Sequence, residues 1–122
     1  MNAFRAAVEN RDVDAMRAAL HPDVVFRSPA VFTPYEGIDD VMGLLGHVIE
    51  VFEDFEYTDE LEGGSTHALV FAARVGDKRV EGLDHLTLDA DGLVTELVVM
   101  VRPLSGLIAL AQAMGARLEA SA

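Results

Sequence analysis

The segment Gly82-Leu83-Asp84-His85-Leu86-Thr87-Leu88-Asp89-Ala90-Asp91-Gly92 decides the fold, because it alternates like a strand and ends in a turn signal. Successive side chains of a strand point to opposite sides, so this alternation predicts two distinct faces. The apolar face holds Val80, Gly82, Asp84, Leu86 and Leu88, and the other face holds Glu81, Leu83, His85 and Thr87. Asp84 is therefore a carboxyl group on an otherwise apolar face, which predicts a buried acid with a raised pKa.

A four-strand meander is predicted around this segment, because stretches of strand period alternate with glycine-containing turns. The strands are expected over residues 54–62, 65–75, 78–89 and 93–102, with turns at Gly63-Gly64, Gly76-Asp77 and Asp91-Gly92. In the last strand, residues 98–101 are apolar without a break, so both of its faces should be covered. The helices of the chain can cover one face, and a second protomer is the simplest cover for the other. We therefore expect a homodimer formed through Val70, Ala72, Val98 and Met100.

The first third of the chain predicts two short helices, a strand and a loop. One helix is expected over residues 2–10, and Asp12 can cap a second helix that ends at His21, because a proline follows. A short strand is expected over residues 24–28, and a loop with two prolines over residues 29–37.

Two longer helices complete the predicted fold. One begins near Ile38 and ends near Phe52, and it is apolar around most of its circumference, which predicts burial on more than one side. Pro103 ends the last strand, and a closing helix is expected to follow. The buried side of that helix is predicted to hold Leu104, Leu107, Ile108, Ala111, Met114 and Leu118.

Composition bounds the class of protein. The 122 residues fit one domain, over residues 1–122, and 51% of them are hydrophobic, which is enough for a sizeable core. No signal peptide is expected from the first residues, and the lack of cysteine excludes disulfides and thiol catalysis and suits the cytoplasm. The net charge of −12 argues against nucleic acid and anionic membranes as partners.

The order of these elements resembles the nuclear transport factor 2-like superfamily, and within it the SnoaL-like and ketosteroid isomerase-like proteins. The resemblance covers almost the whole chain and includes the strand that ends in Phe26-Arg27-Ser28-Pro29, the loop that closes at Tyr35-Glu36-Gly37, and the segment 82–92. It implies an α+β, cystatin-like fold in which a curved antiparallel sheet wraps around helices and encloses a pocket. It also implies frequent dimerisation through the convex face of the sheet.

The resemblance implies a match between functional residues of the isomerases and individual positions of this sequence. The oxyanion-hole acid of the isomerases matches Asp84, whereas the place of their general base holds Ser28 and the place of their oxyanion-hole tyrosine holds Phe4. A hydroxyl group cannot replace a carboxylate in abstracting a proton near neutral pH, so isomerisation by that mechanism is not expected. In the SnoaL-like polyketide cyclases the catalytic acid aligns with Val99, so this role is unfilled as well.

Asp84 is the candidate catalytic residue, as a general acid or a hydrogen-bond donor to a ligand; the alternative is a structural acid bonded to a tyrosine or a backbone amide of its own chain. The predicted lining of the pocket is apolar except for a few polar groups, among which Tyr35 and His47 are expected near its mouth and Tyr35 is a possible partner of Asp84. This lining comprises Phe26, Ser28, Tyr35, His47, Phe55, Tyr57, Leu69, Phe71, Leu97, Val99 and Val101. His85 is expected on the convex face, and His21 and His67 are expected to be structural.

No metal site or cofactor is predicted, since the four histidines show no ligand spacing and the chain contains no glycine-rich phosphate loop. Two functions remain open. One is an isomerase, cyclase or dehydratase acting on a hydrophobic small molecule, with Asp84 as its acid. The other is a non-catalytic module that binds an apolar ligand or acts as a dimeric partner.

Overall fold

The computed structural model describes residues 2–120, and within that range six strands form one sheet. The strands are β1 (Leu20–Arg27), β2 (Tyr35–Glu36), β3 (Glu53–Gly63), β4 (Thr66–Val75), β5 (Lys78–Leu88) and β6 (Val94–Arg102). Their order in the sheet is β2-β1-β6-β5-β4-β3. Strands β3 to β6 are the predicted meander, and each of their ends lies within one residue of its predicted position. The α+β class is confirmed, although the pairing of β1 with β6 is parallel, so the sheet is mixed.

In the described part of the chain, four helices accompany the sheet: α1 (Ala3–Glu9), α2 (Val13–Ala19), α3 (Ile38–Val51) and α4 (Leu104–Ala120). The side chain of Asp12 caps α2 by accepting a hydrogen bond from the Ala15 backbone N–H, as predicted. Helix α3 buries Val41, Met42, Leu44 and Leu45, and further apolar side chains of this helix pack around the core. None of the helices within residues 2–120 is long and apolar enough to cross a membrane.

Strand β1 is longer than predicted, because it begins at Leu20 and not at Val24. The prediction failed because Pro22 was taken only as a helix terminator. The register between β1 and β6 shifts between Leu20 and Val25, and this irregular stretch accommodates a proline that cannot donate to a ladder. The predicted loop over residues 29–37 also contains a two-residue strand, β2, which pairs Tyr35 with Phe26.

The alternation predicted for β5 is confirmed. Val80, Asp84 and Leu86 are buried, whereas the opposite, convex face carries partly exposed residues, among them Leu83 and His85. The concave face of the sheet therefore supports the core, and Asp84 projects from that face.

The predicted buried side of α4 is only partly right. Leu104 and Ile108 are 71% and 48% exposed, and the residues that the helix buries are Gly106 and Leu110. Gly106 accounts for the difference between the predicted and the observed buried side, because α4 contacts β5 closely at this residue. A Cβ atom at Gly106 would lie 2.4 Å from Cγ1 of Val80. With α4 in close contact with β5 at this glycine, Leu104 and Ile108 lie at the surface, whereas Leu107 and Met114 still pack against the core.

Candidate functional site

An apolar cavity of about 370 Å³ lies between the concave face of the sheet and the helices. Most of the predicted lining residues border it. They are Phe26, Ser28, Tyr35, Phe55, Tyr57, Phe71, Leu97 and Val99, together with Asp84. The helices contribute a second set that sequence reasoning did not assign to the cavity, including Phe4, Leu44, Val48, Met114 and Leu118.

Three predicted lining residues do not border the cavity. Leu69 has no exposed surface and lies within the buried hydrophobic core. Val101 packs against the core near the end of β6. His47 lies on α3, where its Nδ1 accepts a hydrogen bond from Nε of Arg117 at 3.3 Å. Burial in the core and an interaction between helices therefore account for these side chains.

The polar centre of the cavity is a hydrogen bond between two buried side chains on different strands. The Tyr57 hydroxyl on β3 donates to Oδ2 of Asp84 on β5 at a distance of 2.8 Å. Both residues are buried, with relative exposures of 8% and 7%. Among the described residues Tyr57, and not Tyr35, is thus the hydrogen-bond partner of Asp84.

Burial shifts the protonation equilibria of this pair. Desolvation raises the pKa of Asp84 from 3.8 to about 7, and the hydrogen bond from Tyr57 opposes part of that rise by stabilising the carboxylate. Desolvation and the neighbouring Asp84 raise the pKa of Tyr57 well above its ordinary value, so its hydroxyl stays protonated and remains a donor. A carboxyl group that titrates near neutral pH can serve as a proton donor or acceptor.

Arg5 of α1 holds the outer side of Tyr57. Its guanidinium carbon lies 5.5 Å from the centroid of the Tyr57 ring, within the range of cation–π contacts. The same guanidinium forms ion pairs with Glu60 of β3 at 3.0 Å and with Glu9 of α1 at 3.4 Å. These contacts attach α1 to β3 beside the buried pair.

Aromatic rings form the cavity wall next to Asp84. Phe55 and Phe71 are stacked, with centroids 4.9 Å apart and an interplanar angle of 28°. Phe55 also contacts Tyr57 edge to face at 4.9 Å, and Phe52 contacts Phe71 at 5.4 Å. A planar apolar group of a ligand can pack against such a wall while a polar atom reaches Asp84.

Ser28, which the resemblance matches to the general base of the isomerases, borders the cavity. Its Oγ accepts a hydrogen bond from the Ala30 backbone N–H at 3.0 Å, so it caps its own loop. The carboxyl groups that line the cavity, within residues 2–120, are those of Asp84 and Glu9. Glu9 is paired with Arg5, so Asp84 is the better candidate for acid–base chemistry.

The remaining histidines lie away from the cavity. His85 lies on the convex face, as predicted, and His21 accepts a hydrogen bond from the Asp23 backbone N–H through Nδ1 at 2.9 Å. The Nδ1 atom of His67 accepts from the Asn2 side-chain amide at 3.0 Å. His67 and its neighbours Glu60 and Glu62 bring potential ligand atoms within 4.8 Å of one another, a grouping across a hairpin that sequence spacing does not reveal. In this grouping, Glu60 already forms an ion pair with Arg5.

Comparisons with known proteins place the chain among relatives with the same fold. The SnoaL-like domain family model matches residues 1–97. A search of proteins with curated functions gave no significant match.

Two solved structures resemble the chain in both sequence and fold. A steroid delta-isomerase from Pseudomonas aeruginosa is 42% identical, with a TM-score of 0.92 over 97% of this chain and 88% of the other. An uncharacterized protein with a cystatin-like fold from Silicibacter pomeroyi is 34% identical, with a TM-score of 0.91 over 96% and 83%. A proposed SnoaL-like polyketide cyclase from Shewanella denitrificans shares the fold at 16% identity, with a TM-score of 0.69 over 91% and 93%.

Proposed function

The chain belongs to the SnoaL-like domain family, and from this premise we propose that it binds an apolar small molecule in its cavity and catalyses proton transfer on it. The reaction class is that of an isomerase, cyclase or dehydratase, with Asp84 as the acid or hydrogen-bond donor. One observation carries the proposal: a buried carboxyl group, bonded to a tyrosine, borders an apolar cavity of about 370 Å³. That volume lies within the range of about 300–1,000 Å³ found for small-molecule sites.

The contacts of Asp84 suit a ligand that carries a carbonyl oxygen. Tyr57 occupies Oδ2, and no other side chain or backbone group within residues 2–120 bonds to the carboxyl group. A pKa of about 7 keeps much of the population protonated near neutral pH. The protonated carboxyl group can then donate a hydrogen bond to the ligand oxygen through Oδ1, while apolar walls exclude water and strengthen that bond.

The similarity to a steroid delta-isomerase makes an unsaturated ring ketone the first substrate class to test. Moving a double bond requires a group that removes a proton from carbon and returns it. Ser28 cannot do this, so the same carboxyl group, Asp84, would have to act in its ionised form as the base. A mechanism with one acid–base residue should be slower than one in which a separate donor stabilises the developing negative charge.

A non-catalytic ligand-binding role is the second candidate. It is favoured by the hydrogen bond that commits Ser28 to its own loop and by the apolar Phe4 at a position where the isomerases place a tyrosine. Such a module would retain the cavity and the polar anchor at Asp84 but would turn over no substrate.

The two candidates are separated by assaying unsaturated steroid ketones, with absorbance reporting conjugation of the double bond. The catalytic proposal expects turnover in the wild type that is lost in Asp84→Asn and retained in Ser28→Ala and Glu9→Gln. Binding without turnover in the wild type, retained in the three variants, would establish the non-catalytic role. Turnover that survives Asp84→Asn but disappears in Glu9→Gln would show that the acid has been assigned to the wrong residue.

The convex face of the sheet supports the proposal of a homodimer. Met100 is 56% exposed there, and Val70, Ala72 and Val98 lie on the same face. Sedimentation of the wild type should give twice the 13.2 kDa mass of one chain, and Met100→Glu should shift the population toward the monomer. A wild type that sediments as a monomer at high micromolar concentration would contradict the proposal.

A further inference from the structure

Gly82 is the residue on the concave face of β5 whose lack of a side chain has the clearest structural consequence. Its Cα pairs with that of Phe71 on β4, and a Cβ atom at Gly82 would lie 2.1 Å from Cζ of the Phe71 ring. The two Cε atoms would lie at 2.5 and 2.7 Å, so the tip of the ring covers the glycine directly. The backbone of Gly82 is ordinary extended strand, so space for the ring, and not backbone conformation, requires the glycine.

This arrangement determines how far the Phe71 ring projects into the cavity. The ring is 1% exposed and lies across Gly82, stacked on Phe55 and contacted by Phe52. A methyl group at Gly82 would have to move the ring from 2.1 Å to an ordinary contact of 3.4 Å or more. The strand lies behind the ring and aromatic neighbours flank it, so the open direction is into the cavity.

The position of the pair relative to Asp84 gives this movement a functional consequence. Gly82 precedes Asp84 by two residues on the same face of β5, and both Phe71 and Asp84 border the cavity. A ligand whose polar atom reaches Asp84 can therefore place its adjacent atoms against Phe71.

We propose that Gly82 and Phe71 together determine ligand specificity, by setting the width of the cavity beside Asp84 and so the size of the ring system that binds there. The favoured ligands are fused-ring compounds with a carbonyl group at one end, and single-ring ketones fill the site incompletely. This inference rests on the proposed function, because it assumes that the polar atom of the ligand contacts Asp84.

The test compares two ketones that differ by one ring, acetophenone and 2-acetylnaphthalene, whose dissociation constants are measured by NMR titration. The wild type should prefer the two-ring ketone. In Gly82→Ala the preference should fall by about tenfold or more. One extra or missing methylene group in an apolar pocket changes the discrimination between two ligands by about 10–200-fold. The double variant Gly82→Ala/Phe71→Leu should recover most of the preference, because leucine leaves room for the new methyl group.

Gly43→Ala is the matched control, because a Cβ atom at this exposed position of α3 meets nothing within 4 Å. It should leave both affinities unchanged. If Gly82→Ala does not fold, Phe71→Leu carries the test alone and should shift the preference further toward the two-ring ketone, because it widens the cavity.

The outcomes separate the inference from the proposed function. If the wild type binds neither ketone, both fail. If the wild type binds both ketones but Gly82→Ala weakens them equally or leaves their ratio unchanged, only the specificity role is overturned. A crystal structure of Gly82→Ala in which the Phe71 ring stays in place and the strand moves instead would overturn it as well.

Discussion

The free energy of unfolding of Asp84→Asn, relative to that of the wild type, should increase as the pH rises from acid to alkaline. Burial raises the pKa of Asp84 from 3.8 to about 7. At pH values below 3.8 the carboxyl group is protonated in both folded and unfolded states, so the shift has no effect on stability. As the pH rises from 3.8 to about 7, the unfolded chain ionises and the folded chain does not, so the wild type loses stability. Above about 7 the loss is constant.

The size of the effect follows from the same two values. At about 1.36 kcal/mol per pKa unit, raising the pKa from 3.8 to about 7 costs the folded wild type about 4 kcal/mol at alkaline pH. Part of this loss is already present at pH 5, so about 3 kcal/mol of it should develop between pH 5 and pH 8.5. The asparagine side chain of the variant cannot ionise, and its amide oxygen can still accept from Tyr57.

Urea unfolding of both proteins at several pH values, at one protein concentration, measures this difference directly. Other titrating groups are shared by the two proteins and cancel in the comparison. Asp77→Asn, in the exposed turn between β4 and β5, gives the background for removing one acidic group. The reasoning is refuted if the difference in free energy of unfolding between the wild type and Asp84→Asn changes by less than about 0.5 kcal/mol across this pH range. Such a result would mean that burial does not shift the pKa of Asp84.

The same contacts predict the outcome of three other experiments. Tyr57→Phe removes a hydrogen bond that stabilises the carboxylate, so the NMR titration midpoint of the Asp84 carboxyl carbon should rise above about 7; an unchanged or lower midpoint would contradict the assigned bond. Binding of 2-acetylnaphthalene should weaken about tenfold per pH unit above about 7, because only the protonated carboxyl group can donate to a ketone; pH-independent affinity would argue against that contact. Gly106→Ala should lower the free energy of unfolding in urea by about 1–3 kcal/mol, because the new methyl group clashes with Val80. Gly43→Ala, at an exposed position of a helix, should raise the free energy of unfolding by up to about 1 kcal/mol. Equal effects of the two variants would refute the close approach of α4 to the sheet.

The four-strand meander of the sheet could be predicted in detail because several sequence signals agree. Strand alternation, the glycine turns and the lengths of the apolar runs all place β3 to β6 within one residue of their observed ends. The burial of Asp84 follows from the same alternation, since its neighbours Val80 and Leu86 leave only one face for the core.

Tyr57 was predicted to line the cavity, but its hydrogen bond to Asp84 was not, because that contact depends on the register that a bulge in β3 sets. Near the hairpin turn Asp59 pairs with Val70, and a regular continuation of that register would pair Tyr57 with Ala72 and place it on the convex face. The irregularity between Tyr57 and Asp59 moves the pairing to Phe71, which turns Tyr57 toward the cavity. A single extra residue in a strand reverses its faces, and its position leaves no clear sequence signal.

The buried side of α4 was predicted only in part, for a related reason. The sequence pattern weighs large apolar residues such as Leu104 and Ile108, whereas the observed contact with the sheet is made by Gly106 and Leu110. A glycine that permits close packing carries no hydrophobic signal, so helix periodicity does not identify Gly106 as a contact with the sheet.

The most direct test of the central claim, that a buried carboxyl group anchors the ligand in the cavity, is a carboxyl NMR titration of Asp84 with and without 2-acetylnaphthalene. We expect a midpoint near 7 in the free protein. In the complex the midpoint should be higher, because a bound ketone oxygen stabilises the protonated form. A ligand that binds while leaving both the resonance and the midpoint of Asp84 unchanged would contradict the claim.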